Sequence, residues 1–238
     1  MRAHVQKVAP EDKDWNDWMI LRFCRARKFN LEKIIIMVDN YLKWKREIGM
    51  DSIGNLEENV FKSVSTYTRN GYCNVDKLGR PIYIDQIRFL KADKIFKQLS
   101  DQQLIKYYVQ SYERLLHVIF PECSRVAKRR IDRTCTIMDL KGVSIFKLFG
   151  GKVRAFSKLS SQITQDYYPE IMGKLFILNS GYLFSGIWAI IKGWLDPVTR
   201  KKIQIISGSG KKELLKLIDA ENLPEDLGGT YTGDIRDN

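Results

Sequence analysis

From residue 80 onward, short apolar segments alternate with longer segments of helical periodicity, and this alternation constrains the fold more than any other feature of the sequence. The apolar segments predict strands at about 81–87, 134–140, 174–179 and 202–206. The remaining segments predict helices at about 101–120, 143–167, 185–195 and 211–218. Strands and helices that alternate in this way are typical of an α/β domain with a mostly parallel sheet.

The N-terminal region differs, because its apolar residues recur only at helical spacing. Asn30 is a helix-capping residue type, and it precedes apolar positions that share one helical face as far as Leu42. Gly49 marks the end of this helix, and an amphipathic segment between Trp15 and Phe23 predicts another helix upstream. No Pro-rich or Gly/Ser-rich linker follows. We therefore predict a small helical unit over residues 1–58, docked on an α/β domain over residues 59–238.

The chain is strongly basic, with 40 Lys and Arg residues against 28 Asp and Glu residues and a formal net charge of +12. Such an excess attracts polyanions, which include both nucleic acids and the anionic leaflet of a membrane. It also fits a basic surface that serves only solubility. Charge alone leaves these three interpretations open.

The sequence predicts a cytosolic chain that does not cross a membrane. Charged residues interrupt the first 18 positions, so no secretory signal is recognised there. The four cysteines are widely spaced and no metal-binding pattern joins them to the two histidines, which predicts reduced thiols. The longest apolar run, around Tyr182 to Ile191, ends at Lys192 and is shorter than the roughly 20 residues that span a bilayer.

The common catalytic motifs are missing from the sequence. Gly208-Ser-Gly-Lys-Lys212 lacks both the first glycine and the final Ser or Thr of a phosphate-binding loop. Gly142-Val-Ser-Ile-Phe146 lacks the last glycine of a nucleophile elbow. We therefore expect no enzymatic activity, no cofactor and no bound metal, although an enzyme that acts on lipids remains an alternative because residues distant in sequence can form a site.

Three segments have more specific patterns than a generic core requires. The first is Leu21-Arg-Phe-Cys-Arg-Ala-Arg-Lys-Phe-Asn30. The second begins with Thr134-Cys-Thr-Ile-Met-Asp-Leu-Lys-Gly142 and continues to Gln165-Asp-Tyr-Tyr-Pro-Glu170. The third begins with Leu195-Asp-Pro-Val-Thr199 and ends with Leu227-Gly-Gly229. In this order and spacing, the segments resemble the CRAL-TRIO lipid-binding family, and within it the phosphatidylinositol/phosphatidylcholine transfer proteins.

The resemblance implies an N-terminal helical unit and an α/β lobe whose mostly parallel sheet floors a hydrophobic pocket under a movable gate helix. The gate helix would lie at 187–194, with Ile187, Trp188, Ile190, Ile191 and Trp194 as its apolar residues. A helix that is apolar on nearly every side must be buried or must contact lipid, although a plain core helix has the same property. Gly193 and Pro197 are residue types that interrupt helices and are candidate pivots.

By resemblance, an inositol headgroup site combines a basic residue, a carboxylate, a hydroxyl and a lysine. The matching residues are Arg27, Lys28, Glu170, Pro197, Thr199 and Lys202. Cations suit the phosphate, and the carboxylate and hydroxyl suit the ring hydroxyls. An ordinary structural role, such as a cap or a surface ion pair, is the alternative interpretation for each of these residues.

The resemblance also implies a choline headgroup site, because a quaternary ammonium is best bound by aromatic faces. The matching residues are Tyr72, Tyr83, Tyr112, Thr134 and Thr136. Thr134 stands where the family pattern is expected to have Ser, and we expect its extra methyl group to crowd the phosphate. Ordinary half-buried packing is the alternative for each tyrosine.

The expected function is therefore exchange of phosphatidylinositol and phosphatidylcholine by a monomeric cytoplasmic carrier that docks on anionic membranes, including Golgi and endosomal ones, and supports phosphoinositide supply and vesicle traffic. Basic clusters around 125–133, 147–158 and 200–202 would favour docking at about 1 kcal/mol per basic group near the surface. Besides an enzyme that acts on lipids, two further alternatives remain. One is a CRAL-TRIO carrier of a sterol, tocopherol or retinoid, and the other is a nucleic-acid-binding module, for which the sequence shows no recognised motif.

Overall fold

The computed structural model describes residues 1–12, 14–50, 58–143, 151–181, 184–195 and 197–235. Side chains are described at these positions except 58, 59, 185, 187, 190 and 194. Within these ranges, a single mixed sheet has helices on one face and the C-terminal segment on the other.

The N-terminal unit contains three helices, α1 (Arg2–Val8), α2 (Asp17–Ala26) and α3 (Leu31–Glu47), in the described part of residues 1–50. Asn16 caps α2, because its side-chain oxygen accepts the N–H groups of Trp18 and Met19. Asn30 caps α3 by accepting the N–H of Lys33 at 3.0 Å. These caps fix where the two long helices begin.

Five strands form the sheet in the described residues, in the order in which they occur along the chain. They are β1 (Asn70–Val75), β2 (Pro81–Gln86), β3 (Thr134–Asp139), β4 (Met172–Leu178) and β5 (Ile203–Ile205). β1 and β2 pair antiparallel, whereas the other neighbouring strands pair parallel. The mostly parallel α/β sheet predicted from the alternation is therefore confirmed.

The connecting helices lie on one face of the sheet, which we call the inner face. Parallel crossovers are right-handed, so a strand order that follows chain order places all of them on the same side. Before and between the parallel strands the described residues contain α4 (Glu58–Tyr67), α5 (Ala92–Gln98), α6 (Asp101–Arg114), a π-helical turn (Leu115–Ile119), α7 (Phe120–Val126), α8 (Gly151–Tyr167), α9 (Phe184–Ile191), a 3₁₀ turn (Lys192–Trp194) and α10 (Pro197–Lys202).

The opposite, outer face of the sheet is sealed by α11 (Lys211–Leu217) and the segment that follows it. Apolar side chains of the strands and of the C-terminal segment form one buried cluster there: Cys73, Ile82, Ile84, Cys135, Ile137, Phe176, Leu178, Leu214, Ile218, Leu223, Leu227 and Ile235. The outer face is thus a packed core.

The structure differs from the sequence prediction at β1 and in the helix predicted over 101–120. The sequence of β1, Asn-Gly-Tyr-Cys-Asn-Val, has few apolar residues, because this edge strand pairs only with β2. The predicted helix continues to Val126 through the π-helical turn. Pro121 has no N–H to donate, so the hydrogen-bond ladder of this continuous helix is interrupted directly after the π-helical turn. Residues 144–150 of the helix predicted at 143–167 lie outside the described residues.

None of the helices in the described ranges is both long and apolar enough to span a bilayer. All four cysteines are free thiols, with Cys73 and Cys135 buried.

Candidate functional site

The inner face of the sheet borders an interior cleft. Along β2 and β3, the side chains of the outer face are fully buried, whereas Tyr83, Asp85, Thr136 and Met138 on the inner face keep part of their surface accessible. Burial nevertheless raises the pKa of Tyr83 well above its usual value, which means that protein surrounds it on most sides. Their remaining accessible surface faces the space between the sheet and the helices, which we call the cleft.

The residues predicted for a choline headgroup lie together at one end of this cleft. The rings of Tyr72 and Tyr83 have centroids 5.0 Å apart on the neighbouring strands β1 and β2. Thr136 is paired with Tyr83 across β2 and β3, and its hydroxyl lies 3.4 Å from that of Thr134. Burial and the nearby Tyr112 raise the pKa of Tyr72. The five predicted residues therefore form one group of aromatic rings and hydroxyls.

Helices α6 and α8 form the wall opposite the sheet. Tyr112 stacks on Tyr168 with a centroid distance of 4.7 Å, and the hydroxyl of Tyr108 lies 2.7 Å from that of Thr164. Tyr108 and Thr164 were not predicted from the sequence. Tyr108 precedes Tyr112 by one helical turn, so the spacing on α6 was a usable signal for Tyr108.

A cluster of charged side chains lies beside the tyrosines and threonines described above. Glu170 Oε2 lies 3.1 Å from Arg133 Nη2 and 3.4 Å from Lys202 Nζ. The Thr134 N–H donates to Ile171 O at 2.9 Å, so the cluster adjoins the beginning of β3. Within the described part of the chain, Oε2 of Glu170 accepts from both cations, whereas Oε1 has no hydrogen bond or ion pair. The arrangement offers two cations to an anion and one carboxylate oxygen to a hydroxyl.

Two local backbone features hold this charge cluster in place. Glu170 has a φ of +60°, a left-handed conformation that is costly for a residue other than glycine. Gly173 is required by close packing, because a Cβ there would lie 2.9 Å from both Arg80 Nη1 and Thr134 O and 3.0 Å from Arg133 Cβ. The turn that precedes β4 is thus shaped to present Glu170 to Arg133.

Arg133 is the residue of this cluster that the sequence analysis assigned elsewhere. It was grouped with the basic residues expected to face a membrane, but its guanidinium pairs with Glu170. The only sequence signal was its position directly before Thr134. Which residues flank Glu170 depends on the pairing of β3 with β4, and that pairing is a long-range contact.

The other residues predicted for an inositol site are more dispersed. Arg27 donates to Ala26 O and lines a surface groove of about 390 Å³ that also contains Trp44 and Tyr167. No contact joins Arg27 to Glu170 within the described residues. Lys28 is exposed and has a φ of +51°. Pro197 and Thr199 lie on α10, the helix that carries Lys202.

The first sequence motif connects the helical unit to the charge cluster. Arg22 is buried, and its Nε–H donates to Pro169 O at 3.1 Å. Arg25 pairs with Asp132 at 3.3 Å, directly before Arg133. Helix α2 therefore contacts both segments that supply the charge cluster. This explains why Arg22 and Arg25 are spaced by about one helical turn.

The Asp-Leu-Lys-Gly part of the second motif has a structural role in this fold. Asp139 is buried and accepts hydrogen bonds from the Lys141 N–H at 2.9 Å and from Asn179 Nδ2 at 2.7 Å. Gly142 has a φ of +69°, which suits glycine. This network closes the loop after β3.

The predicted gate segment forms α9 and the 3₁₀ turn after it. Trp188 and Ile191 are half-buried, and Trp188 packs against a cluster that contains Leu140, Leu175 and Ile177. The side chains of the other predicted gate residues, Ile187, Ile190 and Trp194, lie outside the described part. The apolar side of α9 therefore rests on the inner face of β4.

Most of the first basic cluster is engaged within the protein. Arg125 pairs with Glu122, Arg129 donates to Leu78 O, and the Arg130 guanidinium lies 5.1 Å from the centre of the Trp18 ring. Exposed pairs of this type contribute little to stability. In the second cluster Lys147 lies outside the described residues.

The fold is an α/β lobe attached to a helical unit, and comparison with protein families identifies this arrangement. The profile described as CRAL/TRIO domain matches residues 66–229, and the profile described as CRAL/TRIO, N-terminal domain matches residues 1–40. The chain belongs to the CRAL-TRIO family, as its motifs indicated.

Similar proteins include the Sec14 cytosolic factor of Schizosaccharomyces pombe, which is 40% identical over 230 residues, covering 96% of this chain and 79% of that protein. The phosphatidylinositol/phosphatidylcholine transfer protein SFH12 of Arabidopsis thaliana is 36% identical over 231 residues. That match covers 96% of this chain but only 42% of SFH12. Several relatives are thus much longer than this chain.

The crystal structure of Sfh5 has a similar fold. It superposes with a TM-score of 0.70, and the match covers 95% of this chain and 74% of Sfh5. At 20% sequence identity, this likeness supports the fold alone.

Proposed function

We propose that the protein transfers phosphatidylinositol and phosphatidylcholine between membranes, holding one lipid at a time in the cleft above the inner face of the sheet, without catalysing a reaction. Support comes from the names of its relatives and from the chemistry of the cleft. The protein works in the cytoplasm and docks transiently on anionic membranes, and lipid delivery there supports phosphoinositide supply and vesicle traffic.

Removing a phospholipid from a bilayer exposes its acyl chains to water. At about 0.8 kcal/mol for each methylene group, two long chains raise the barrier by on the order of 20 kcal/mol. A carrier lowers this barrier by offering an apolar surface in contact with the membrane. In the proposal, α9 is the gate that moves aside, and the apolar side chains beneath it, including Leu175 and Ile177, receive the acyl chains.

The charge cluster around Glu170 is the observation that carries the inositol part of the proposal. A phosphate diester needs cations, and a ring of hydroxyls needs acceptors and donors. Lys202 and Arg133 supply the cations, Glu170 Oε1 accepts from the ring, and Thr199 lies on the same helix as Lys202. Arg27 and Lys28 would contact the headgroup only after a rearrangement of the turn that follows α2.

A liposome assay with labelled lipids tests this function. We expect the wild-type protein to transfer both lipids, and we expect the double variant Thr199→Asp/Lys202→Ala to lose inositol-lipid transfer while it keeps choline-lipid transfer. Lys201→Ala is the matched control, because Lys201 is an exposed neighbour on the same helix. Absence of transfer of any phospholipid by the wild type, or undiminished inositol-lipid transfer by the double variant, contradicts the proposal.

A further inference from the structure

Asp85 carries a carboxyl group on the inner face of the sheet, next to the residues predicted for a choline headgroup. It lies on β2, two residues after Tyr83, and its side chain points to the same inner face. It is paired with Met138 on β3 and with Asn70 on β1. It therefore borders the cleft directly beside the predicted choline residues.

The carboxyl of Asp85 has no hydrogen bond and no ion pair within the described parts of the chain. The buried carboxylates of Asp76 and Asp139 are different, because each accepts backbone N–H groups and side-chain donors. Buried carboxylates that serve only the fold are satisfied in this way. Asp85 lacks such partners.

The titratable groups nearest to Asp85 are tyrosines. Tyr83 on β2 and Tyr107 on α6 are close enough for its charge to contribute, after burial, to raising the pKa of each. Tyr72 stands beside Tyr83 on β1. No described lysine, arginine or histidine pairs with Asp85, and burial raises its own pKa to about 7.

We propose that Asp85 is a further binding residue for phosphatidylcholine, and that its carboxylate is the counter-ion of the choline ammonium held against Tyr83 and Tyr72. A quaternary ammonium donates no hydrogen bond and is stabilised by a negative charge and by aromatic faces. An inositol ring instead needs hydrogen-bond partners for its hydroxyls. The inositol ring already has an acceptor in Glu170. This inference rests on the proposed function and names the residue that selects the choline headgroup.

The proposal predicts that phosphatidylcholine binding depends on pH. The choline cation favours the charged carboxylate, so affinity rises as the pH increases through about 7 and levels off above it. With a pKa near 7, the charged fraction of Asp85 changes about tenfold between pH 6 and pH 8, and this ratio limits the change in affinity over that interval. His117, which also titrates above its usual pKa, lies in the π-helical turn beside Glu113 and Asp14, away from Asp85.

The test compares phosphatidylcholine with its 3,3-dimethylbutyl analogue, in which carbon replaces the charged nitrogen at equal size. Extraction from vesicles is measured at pH 6 and pH 8 for wild type, Asp85→Asn and Asp85→Glu. We expect the preference of the wild type for the charged lipid to be up to about tenfold greater at pH 8 than at pH 6. Asp85→Asn should lose both this preference and its pH dependence, and Asp85→Glu, which keeps the charge, should regain part of the preference.

The outcomes separate this inference from the proposed function. Wild-type protein that extracts neither phospholipid contradicts the proposed function. Wild-type protein that transfers both lipids, with an Asp85→Asn variant that still discriminates the charged lipid from its analogue, overturns only the role of Asp85. A variant that loses inositol-lipid binding alone also overturns it. Circular dichroism and the melting temperature verify that Asp85→Asn is folded.

Discussion

Glu170 receives two cations on one carboxylate oxygen, and this geometry leads to a prediction for Arg133. Arg133→Gln removes a charge-assisted contact, and such contacts contribute about 1.5–3 kcal/mol. We therefore expect inositol-lipid affinity to fall by about ten- to a hundredfold, with choline-lipid affinity much less affected. Arg133→Lys should retain part of the affinity. Equal losses for both lipids in a vesicle-binding titration would argue against a headgroup role for Arg133.

Asp85 also affects stability, because its folded-state pKa is raised. The folded protein binds this proton more tightly than the unfolded chain, so stability is lost as the pH rises from about 4 to about 7. In the lipid-free protein, Asp85→Asn should therefore be more stable than wild type at pH 8, by up to about 4 kcal/mol, and the difference should shrink toward pH 4. Denaturant unfolding at several pH values measures this. An unchanged stability at pH 8 would contradict the desolvation of Asp85.

Some of these residues were readable from the sequence and others were not. Glu170 lies in a contiguous motif, and the family resemblance assigns Lys202 and the tyrosines by position. Arg133 and Asp85 do not, since their roles arise from strand pairing: Arg133 meets Glu170 only when β3 lies beside β4, and the face to which Asp85 points depends on the register of β2.

At the scale of elements, the hinge of the proposed gate gives a prediction. A Cβ at Gly193, in the turn after α9, meets no atom within 4 Å, so Gly193→Ala fits without a clash and restricts the backbone. We expect the transfer rate to fall several-fold, while the amount of lipid bound at equilibrium stays the same.

Gly186 provides the matched control for this experiment. It lies inside α9, where a Cβ likewise meets nothing within 4 Å, and alanine there favours the helix by roughly 1 kcal/mol. A gate that moves as a rigid helix is not slowed by this change. Equal slowing by both variants in stopped-flow transfer would show that the turn is not the pivot.

Periodicity predicted the type of most elements but not all of their bounds. Helices and strands with one consistent apolar face, such as α3 and β2, were recognisable. The edge strand β1 was not, because it has little apolar sequence of its own and is defined by its partner β2.

At the scale of the whole molecule, the net charge of +12 predicts salt-dependent membrane docking. Binding to vesicles that contain an anionic phospholipid should weaken markedly between low salt and about 0.5 M salt. Binding to neutral vesicles should change little. Cosedimentation measures both, and binding to anionic vesicles that salt does not affect would contradict electrostatic docking.

The most direct measurement of the central claim is the identity of the lipid inside the purified protein. Native mass spectrometry followed by lipid extraction reports both the stoichiometry and the headgroup. We expect one phospholipid per chain, either phosphatidylinositol or phosphatidylcholine. In the Thr199→Asp/Lys202→Ala variant, we expect the inositol lipid to be depleted. A sterol, tocopherol or retinoid in the cleft, or a protein that retains no phospholipid after exposure to cellular membranes, would contradict it.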